Sequence, residues 1–501
     1  MTLSSADRSR RPLGRNIVHI GLVMSIAFGA LAGAAGYWSV IEAPRLVRSP
    51  NDPAVIAASR TVARGRILDR TGVVLADNER DENGEWFRTY RSRAISHVVG
   101  YASRRFGNAG LEQAFSAELS GLSGDPVADA FRKFGGDPYD PQELQLSLSY
   151  ELQRRAVRAL GDRRGAVVML DPATGEVLVL ASTPTYDAEA VAAPGPGAAE
   201  TFDGLREDTR RQPLLPRATL GRYVPGSVFK IVTAIAGLGS GAISPSTTYP
   251  EQAEAGNDGL LVQGFRIRES HRLRRGEKLD LEEATEISSN IWFALTGLRT
   301  GGAELVGFAE RLGFGERIPF DLPTAVSQVT NGRGDEPGGF LDDVELANAA
   351  YGQGETFVTP LQMALVAATV ANDGVLMRPR LVTSMTGKRG TREIGPDELR
   401  RVISSVDARA IQEAMQRAVS GELGRQFTTG AKVSGVPTAG KSGTAELGGA
   451  GESHSWFIGF APVERPRIAI AVIVEEAGRG GAVAAPLAGD MMEAFFEEVG
   501  E

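Results

Sequence analysis

The run Ser227-Val228-Phe229-Lys230-Ile231-Val232-Thr233-Ala234-Ile235-Ala236-Gly237-Leu238 is apolar on nearly every side of a helix, and a helix of that kind belongs inside a domain. Pro225-Gly226, just before it, is a turn signal that sets where it starts. Lys230 is the one long charged side chain in the run, three residues after Ser227 and on the same helix face, so hydroxyl and amine can touch. A lysine in that setting is costly unless it is paired or used. The chain must therefore close around this helix and bring something to its first turn.

Composition narrows what that can be. With 501 residues, 42% of them hydrophobic, the chain is long enough for two or more domains and a large core. A net charge of −8, with no dense Lys/Arg tract outside the N-terminus, argues against a nucleic-acid partner. There is no cysteine, which excludes disulfides, thiol catalysis and Cys-ligated metals. His19, His97, His271 and His454 are too few and too scattered for a zinc site or a Ser-His-Asp triad, so no metal or other cofactor is expected. The chain has 6 Lys against 48 Arg. Arginine cannot serve where a deprotonated amine is needed, so the few lysines mark informative positions.

At the N-terminus, Arg8, Arg10, Arg11 and Arg15 precede an apolar stretch from Ile17 to Ile41. At about 1.5 Å per residue, such a helix spans a hydrocarbon core of roughly 30 Å. The arginines place its start in the cytoplasm and everything after it outside. Ala32-Gly33-Ala34 resembles a signal-peptide cleavage site, but the apolar run continues past it, which favours a retained anchor.

Further on, Arg64 to Ala76 reads as strand, Asp-Arg-Thr-Gly turn, strand. A helix is predicted from Gly110 to Leu119 and an amphipathic one from Pro141 to Leu160. Gly165–Leu170 and Glu176–Ser182 read as two apolar strands joined through Asp171-Pro172-Ala173-Thr174-Gly175. Residues 188–211, rich in Ala, Gly and Pro, read as a surface loop, and 300–420 as helices alternating with loops. Ser455–Phe460 and Arg467–Glu475 are strand-like, and Leu487–Val499 is a helical tail. Strands before and after a mostly helical middle predict an α+β domain with a sheet assembled from both sequence ends.

Three short motifs share one order. Ser227-Val228-Phe229-Lys230 is the chain's one Ser-x-x-Lys and starts the apolar helix. Ser288-Ser289-Asn290 lies in a helix that Asp280 can cap, with Glu283 in the third position. Lys441-Ser442-Gly443-Thr444 precedes a strand pair. Taken singly, each has a bland reading: chance spacing, a polar helix face, a Gly-rich turn with a solvated lysine. Together, in this order, they are the set associated with penicillin-binding proteins and serine β-lactamases.

The chemistry explains the residue types. A serine hydroxyl is a poor nucleophile until a base takes its proton, and Lys230 can do so only as a neutral amine. Burial, the helix N-terminus and the charge of Lys441 would all lower its pKa. The Ser288 hydroxyl can relay a proton, while Asn290 binds a substrate amide or orients Lys230. The backbone N–H groups of Ser227 and Thr444 are natural oxyanion donors. Lys441 with the hydroxyls of Ser442 and Thr444 suits a terminal carboxylate, beside the small Gly443.

The chain resembles the class B penicillin-binding proteins, monofunctional peptidoglycan D,D-transpeptidases, over most of residues 64 to 490. Arg64–Ala76 resembles that family's first pedestal motif and Gly110-Leu111-Glu112 its second. Gly165–Asp187 resembles the opening sheet of the transpeptidase domain. Gly352–Gln362, Ala371-Asn372-Asp373-Gly374 and His454–Pro462 are similar to further stretches of it. The resemblance implies a transpeptidase fold related to serine β-lactamases, an antiparallel sheet flanked by helices. It divides the chain into a cytoplasmic tail (1–16), an anchor (17–41), a short pedestal (42–160) and a transpeptidase domain (161–501).

It also implies acylation of Ser227 by stem peptides ending in D-Ala-D-Ala and by β-lactams, a SEDS-family glycosyltransferase partner, and a structural rather than basic role for His454. The pattern is departed from at Pro216, where the family usually shows Asn, at Val228, where Thr or another polar residue is usual, and in the trimmed pedestal. D,D-carboxypeptidase activity would use the same site. A β-lactamase would too, but anchor, pedestal and length argue against it, and the intact motifs weigh against a non-catalytic β-lactam sensor or scaffold.

Overall fold

Two main sheets organise the described residues, which are 13–36, 62–121, 139–270, 276–422, 428–446 and 452–500 of a computed structural model. In chain order their strands are β1 (Ile67–Leu68), β2 (Val74–Arg80), β3 (Trp86–Tyr90), β4 (Glu143–Leu146), β5 (Gly165–Leu170), β6 (Val177–Thr183), β7 (Val382–Gly387), β8 (Gly390–Glu393), β9 (Ala439–Ala445), β10 (His454–Ala461) and β11 (Ile468–Val474). The central sheet runs β9-β10-β11-β5-β6 and is antiparallel throughout. Its strands come from both ends of the domain's sequence, as expected, and with the helices between them they make a mixed α+β fold.

The helices that matter for the site are α1 (Leu13–Gly36), α2 (Tyr150–Leu160), α3 (Lys230–Gly239), α4 (Leu281–Glu286), α5 (Asn290–Thr300), α6 (Asp343–Ala350), α7 (Pro360–Ala371), α8 (Ser405–Ser420) and α9 (Ala484–Val499). Alternation along β5 sends Ala166, Val168 and Leu170 into one apolar cluster with α3 and α7. It sends Val167 and Met169 into a second with α2 and α9. Both sheet faces are thus covered, which is why β11 is Ile-Ala-Ile-Ala-Val-Ile-Val with every residue buried. Every residue of α3 from Lys230 to Leu238 is buried, as its all-round apolar sequence demands.

The second sheet runs β8-β7-β4-β1-β2-β3. Beside it, Glu112 is fully buried between Arg64 and Arg88 and accepts from Arg64 Nε at 2.9 Å and from Arg88 Nε. Arg88 Nη2 also donates to Gly65 O at 2.8 Å. The two pedestal stretches recognised in the sequence are therefore one buried ionic cluster.

Two readings need correction, and a third lies partly outside the described residues. The helix predicted over Pro141–Leu160 begins as strand β4, because Leu144 and Leu146 alternate into the core while the backbone pairs with β1 and β7. Helix starts only at α2, where the Ser149 hydroxyl accepts from Leu152 N. The loop predicted over 188–211 contains helices Ala188–Ala192 and Gly197–Glu207, the first capped by Asp187. The anchor predicted over 17–41 falls partly outside the described residues. Among those described, no helix is long and apolar enough to cross a membrane. Helix α1 nevertheless leaves Ile20, Leu22, Val23, Met24, Ile26, Phe28 and Leu31 between 55% and 67% exposed.

Candidate active site

Ser227 stands in a 3-10 turn, Gly226–Phe229, that feeds directly into α3. Three glycines let backbone press around this turn. Gly226 has φ +57, and a Cβ there would lie 2.6 Å from Thr444 O. A Cβ on Gly352 would lie 1.9 Å from Gly226 O, and one on Gly443 would lie 2.9 Å from Pro225 O. Gly226 N donates to Gly352 O at 2.9 Å. The turn is wedged between β9 and the segment after α6, an approach that only glycine admits.

Side chains hold it from behind. Trp456 Nε1 donates to Val224 O at 3.0 Å. Tyr223 Oη and the buried Arg217 Nε both donate to Glu475 Oε1, at 2.8 and 2.7 Å. His454 belongs to this scaffold: its Nδ1 accepts from Glu476 N at 3.1 Å and its ring meets Tyr223 edge-on, with centroids 5.5 Å apart. Burial lowers its pKa.

The second motif crosses a helix break. The capping box of Asp280 and Glu283 forms as predicted, but α4 ends at Glu286. Ser288 then adopts φ +59, and Ser289 caps a new helix, its Oγ accepting from Trp292 N at 3.0 Å. Ser288-Ser289-Asn290 is therefore not mid-helix, as the sequence reading had it. Ser and Asn compete for local backbone groups and favour such caps. A non-glycine residue at positive φ is uncommon, and here it aims the Ser288 hydroxyl at two lysines.

Lys230 is fully buried. Its Nζ donates to Ser288 O at 2.6 Å, Asn290 Oδ1 at 2.8 Å and Ser288 Oγ at 3.2 Å. Three acceptors match the three protons of an ammonium. The Phe293 ring faces the same Nζ, 5.7 Å from centroid. Lys441, also buried, donates to Ser288 Oγ at 2.8 Å and to Ser442 O at 2.9 Å. Burial, then the charge of Lys441, hold Lys230 well below the ordinary lysine value, against an opposing pull from Glu269. Burial alone pushes Lys441 down to about 7.

The structure thus joins Lys230, Ser288, Asn290 and Lys441 directly. It does not join Ser227 Oγ to Lys230 Nζ by a hydrogen bond, because the amine is turned toward Ser288 and Asn290. In the third motif, Ser442 Oγ lies 3.4 Å from Thr428 Oγ1, and Thr444 Oγ1 accepts from Gly480 N at 3.3 Å. Strand β9 is at the edge of the central sheet, with Lys441 opposite Ile458 and Thr444 opposite Ser455 on β10.

Sequence reasoning missed Glu269, Thr428 and Gly480. Glu269 stands 19 residues before Ser288 and follows no periodicity, so no signal in the sequence marks it. Among the described residues, no cluster of three His, Asp or Glu side chains could hold a metal ion.

A serine on a glycine-bounded turn, beside two depressed lysines bridged by a hydroxyl, is the arrangement expected of a serine acyl-transfer enzyme. The chain belongs to the class B penicillin-binding proteins: residues 165–493 match the penicillin binding protein transpeptidase domain and residues 64–136 the penicillin binding protein A dimerisation domain. It is similar to the peptidoglycan D,D-transpeptidase PbpA of Mycolicibacterium smegmatis, 32% identical over 97% of this chain and 100% of that one. PbpA of Mycobacterium tuberculosis is 32% identical over 91% of this chain and 94% of its own. Among solved structures, the ceftriaxone acyl-enzyme complex of M. tuberculosis penicillin-binding protein A superposes with a TM-score of 0.76 at 29% identity, covering 88% of this chain and 99% of that one. The family resemblance read from the motifs holds.

Proposed function

We propose that this enzyme, a penicillin-binding peptidoglycan D,D-transpeptidase, cross-links stem peptides through an acyl-enzyme on Ser227. The observation that carries this reading is the Ser288 hydroxyl held between the amines of Lys230 and Lys441, beside the turn that presents Ser227. Neutral Lys230 takes the Ser227 proton as Oγ attacks the penultimate D-Ala carbonyl. The N–H groups of Ser227 and Thr444 receive the oxyanion. The amide C–N bond breaks, and the departing D-Ala nitrogen collects a proton through Ser288. An amine from a neighbouring stem then attacks the ester, and Ser227 regains its proton.

Asn290 orients Lys230 and binds the substrate amide; Lys441, Ser442 and Thr444 take the terminal carboxylate, with Gly443 letting the Ser227 turn press close to that strand. A β-lactam acylates the same serine. The division into tail (1–16), anchor (17–41), pedestal (42–160) and transpeptidase domain (161–501) is part of this reading. So are a single pass through the cytoplasmic membrane, a catalytic domain outside it and a SEDS-family glycosyltransferase partner. The exposed apolar side chains of α1 support the anchor.

The test is labelling with a fluorescent penicillin. Wild type is expected to form a stable adduct and Ser227→Ala none; labelling that survives in the variant would sink the assignment of Ser227. Release of D-Ala coupled to cross-linked product, with a stem-peptide acceptor present, separates transpeptidation from hydrolysis.

A further inference from the structure

Glu269 lies just after the hairpin formed by Leu260–Val262 and Phe265–Ile267, and it is partly buried against the start of α5. Its carboxylate accepts from Ser289 Oγ, from Asn290 N at 2.7 Å and from Ile291 N at 3.4 Å. The neighbouring Arg268 O accepts from Asn290 Nδ2 at 2.9 Å, which turns the amide so that Oδ1 faces Lys230 Nζ, 2.8 Å away. This two-residue segment therefore fixes both the backbone and the side chain of Asn290. A helix start leaves its first N–H groups without intrahelical acceptors. Ser289 takes that of Trp292, and Glu269 those of Asn290 and Ile291, so the carboxylate completes the cap while its segment also orients the Asn290 side chain.

The electrostatics supply its use. The charged groups acting on Lys230 are Lys441, from β9, and Glu269; α5 contributes Asn290 and the Phe293 ring, neither of which titrates. At Lys230 the Glu269 carboxylate thus opposes the charge of Lys441. Burial raises the Glu269 pKa, while its hydrogen bonds and Lys230 oppose that rise.

We propose that Glu269 is a positioning residue for acylation, clamping Asn290 against Lys230 so that its carboxylate stands one residue away from the amine. The inference rests on Lys230 acting as the base toward Ser227. Lys230 must be neutral to accept the Ser227 proton, so the acylation rate has an acidic limb that follows its deprotonation. A carboxylate favours the ammonium, so removing the charge lowers the Lys230 pKa and moves that limb to lower pH.

The experiment measures the second-order rate of fluorescent-penicillin acylation against pH in the full chain and in Glu269→Gln, Glu269→Asp and Glu269→Ala, with thermal melts to confirm folding. In Glu269→Gln the limb is expected to move down by about one pH unit, the effect of one nearby charge. In Glu269→Asp, which restores the charge, it stays at the wild-type position. Glu269→Ala, which also frees Asn290, lowers the high-pH plateau about tenfold or more. A limb that stays in place in folded Glu269→Gln overturns the proposal, whether or not the plateau falls, because a purely structural carboxylate would lower the rate without moving the limb. If Glu269→Ala does not fold, the Gln and Asp variants still decide. Ser227→Ala separates the two readings. If it still labels, the base assignment itself fails; if it does not label and the limb is unmoved in Glu269→Gln, only the role of Glu269 fails.

Discussion

Ser288 Oγ accepts a hydrogen bond from Lys441 Nζ at 2.8 Å, from a backbone held at φ +59. Side chain and backbone at this residue are thus bound to one purpose, and substitutions can separate them. Ser288→Ala and Ser288→Gly both delete the bridge between the lysines. Each is expected to slow penicillin acylation about a hundredfold, the scale of a lost proton-transfer group. The left-handed conformation burdens alanine and not glycine, so Ser288→Gly should exceed Ser288→Ala in stability by about 1 kcal/mol. Thermal melts beside acylation time courses check both; equal melting points would refute the strain.

The packing of the nucleophile turn gives a graded pair. Gly352 has φ +90 and its Cβ would strike Gly226 O at 1.9 Å, whereas Gly354 has φ +76 and would meet only Asn348 Cβ at 3.9 Å. Gly352→Ala is expected to abolish penicillin labelling, because the turn carrying Ser227 must shift. Gly354→Ala bears only the backbone strain, about 1–2 kcal/mol, and should still label. Equal labelling of the two variants would show that the turn is not held as described.

In the pedestal, Glu112 is fully buried between two largely buried arginines. Glu112→Ala leaves both cations without their partner and should destabilise the protein by about 3–5 kcal/mol. Urea unfolding of the full chain measures this. The molecules that remain folded should label with penicillin at the wild-type rate, since the cluster belongs to the second sheet and not to the site.

A pH dependence of stability follows from His97. Burial lowers its pKa from 6.5 to about 4, with its Nε2 2.9 Å from Pro213 O. Between those values the unfolded chain binds the proton and the folded one does not. Stability is therefore lost as pH falls from 6.5 toward 4, by up to about 3 kcal/mol from this group. Denaturation curves at pH 7 and pH 4.5 should differ less in His97→Gln than in wild type.

The motifs were legible because serine acylation restricts residue types more tightly than folding does. Lysines at 230 and 441 stand out in a chain that otherwise uses arginine, and apolar strands such as β5 and β11 announce a sheet covered on both faces. The break at Ser288 was not legible, since Asp280 and Glu283 cap a helix whose end carries neither Gly nor Pro. Glu269 escaped because its partners are set by a fold that returns the hairpin to the start of α5. Strand β4 was read as helix for a related reason: Glu143-Leu144-Gln145-Leu146 becomes a strand through partners at residues 67–68 and 382–386, which local sequence does not reveal.

That strand has a mechanical consequence. With β1 hydrogen-bonded to one edge of β4 and β7 to the other, the residues nearest the N-terminal segment and a hairpin more than 200 positions away form one continuous ribbon. Ser147, at its end, donates through Oγ to Val177 O at 2.8 Å and through its backbone N to Leu381 O at 2.7 Å, tying the ribbon to β6. The start of the second sheet is thus joined to the central sheet through backbone hydrogen bonds as well as side-chain packing.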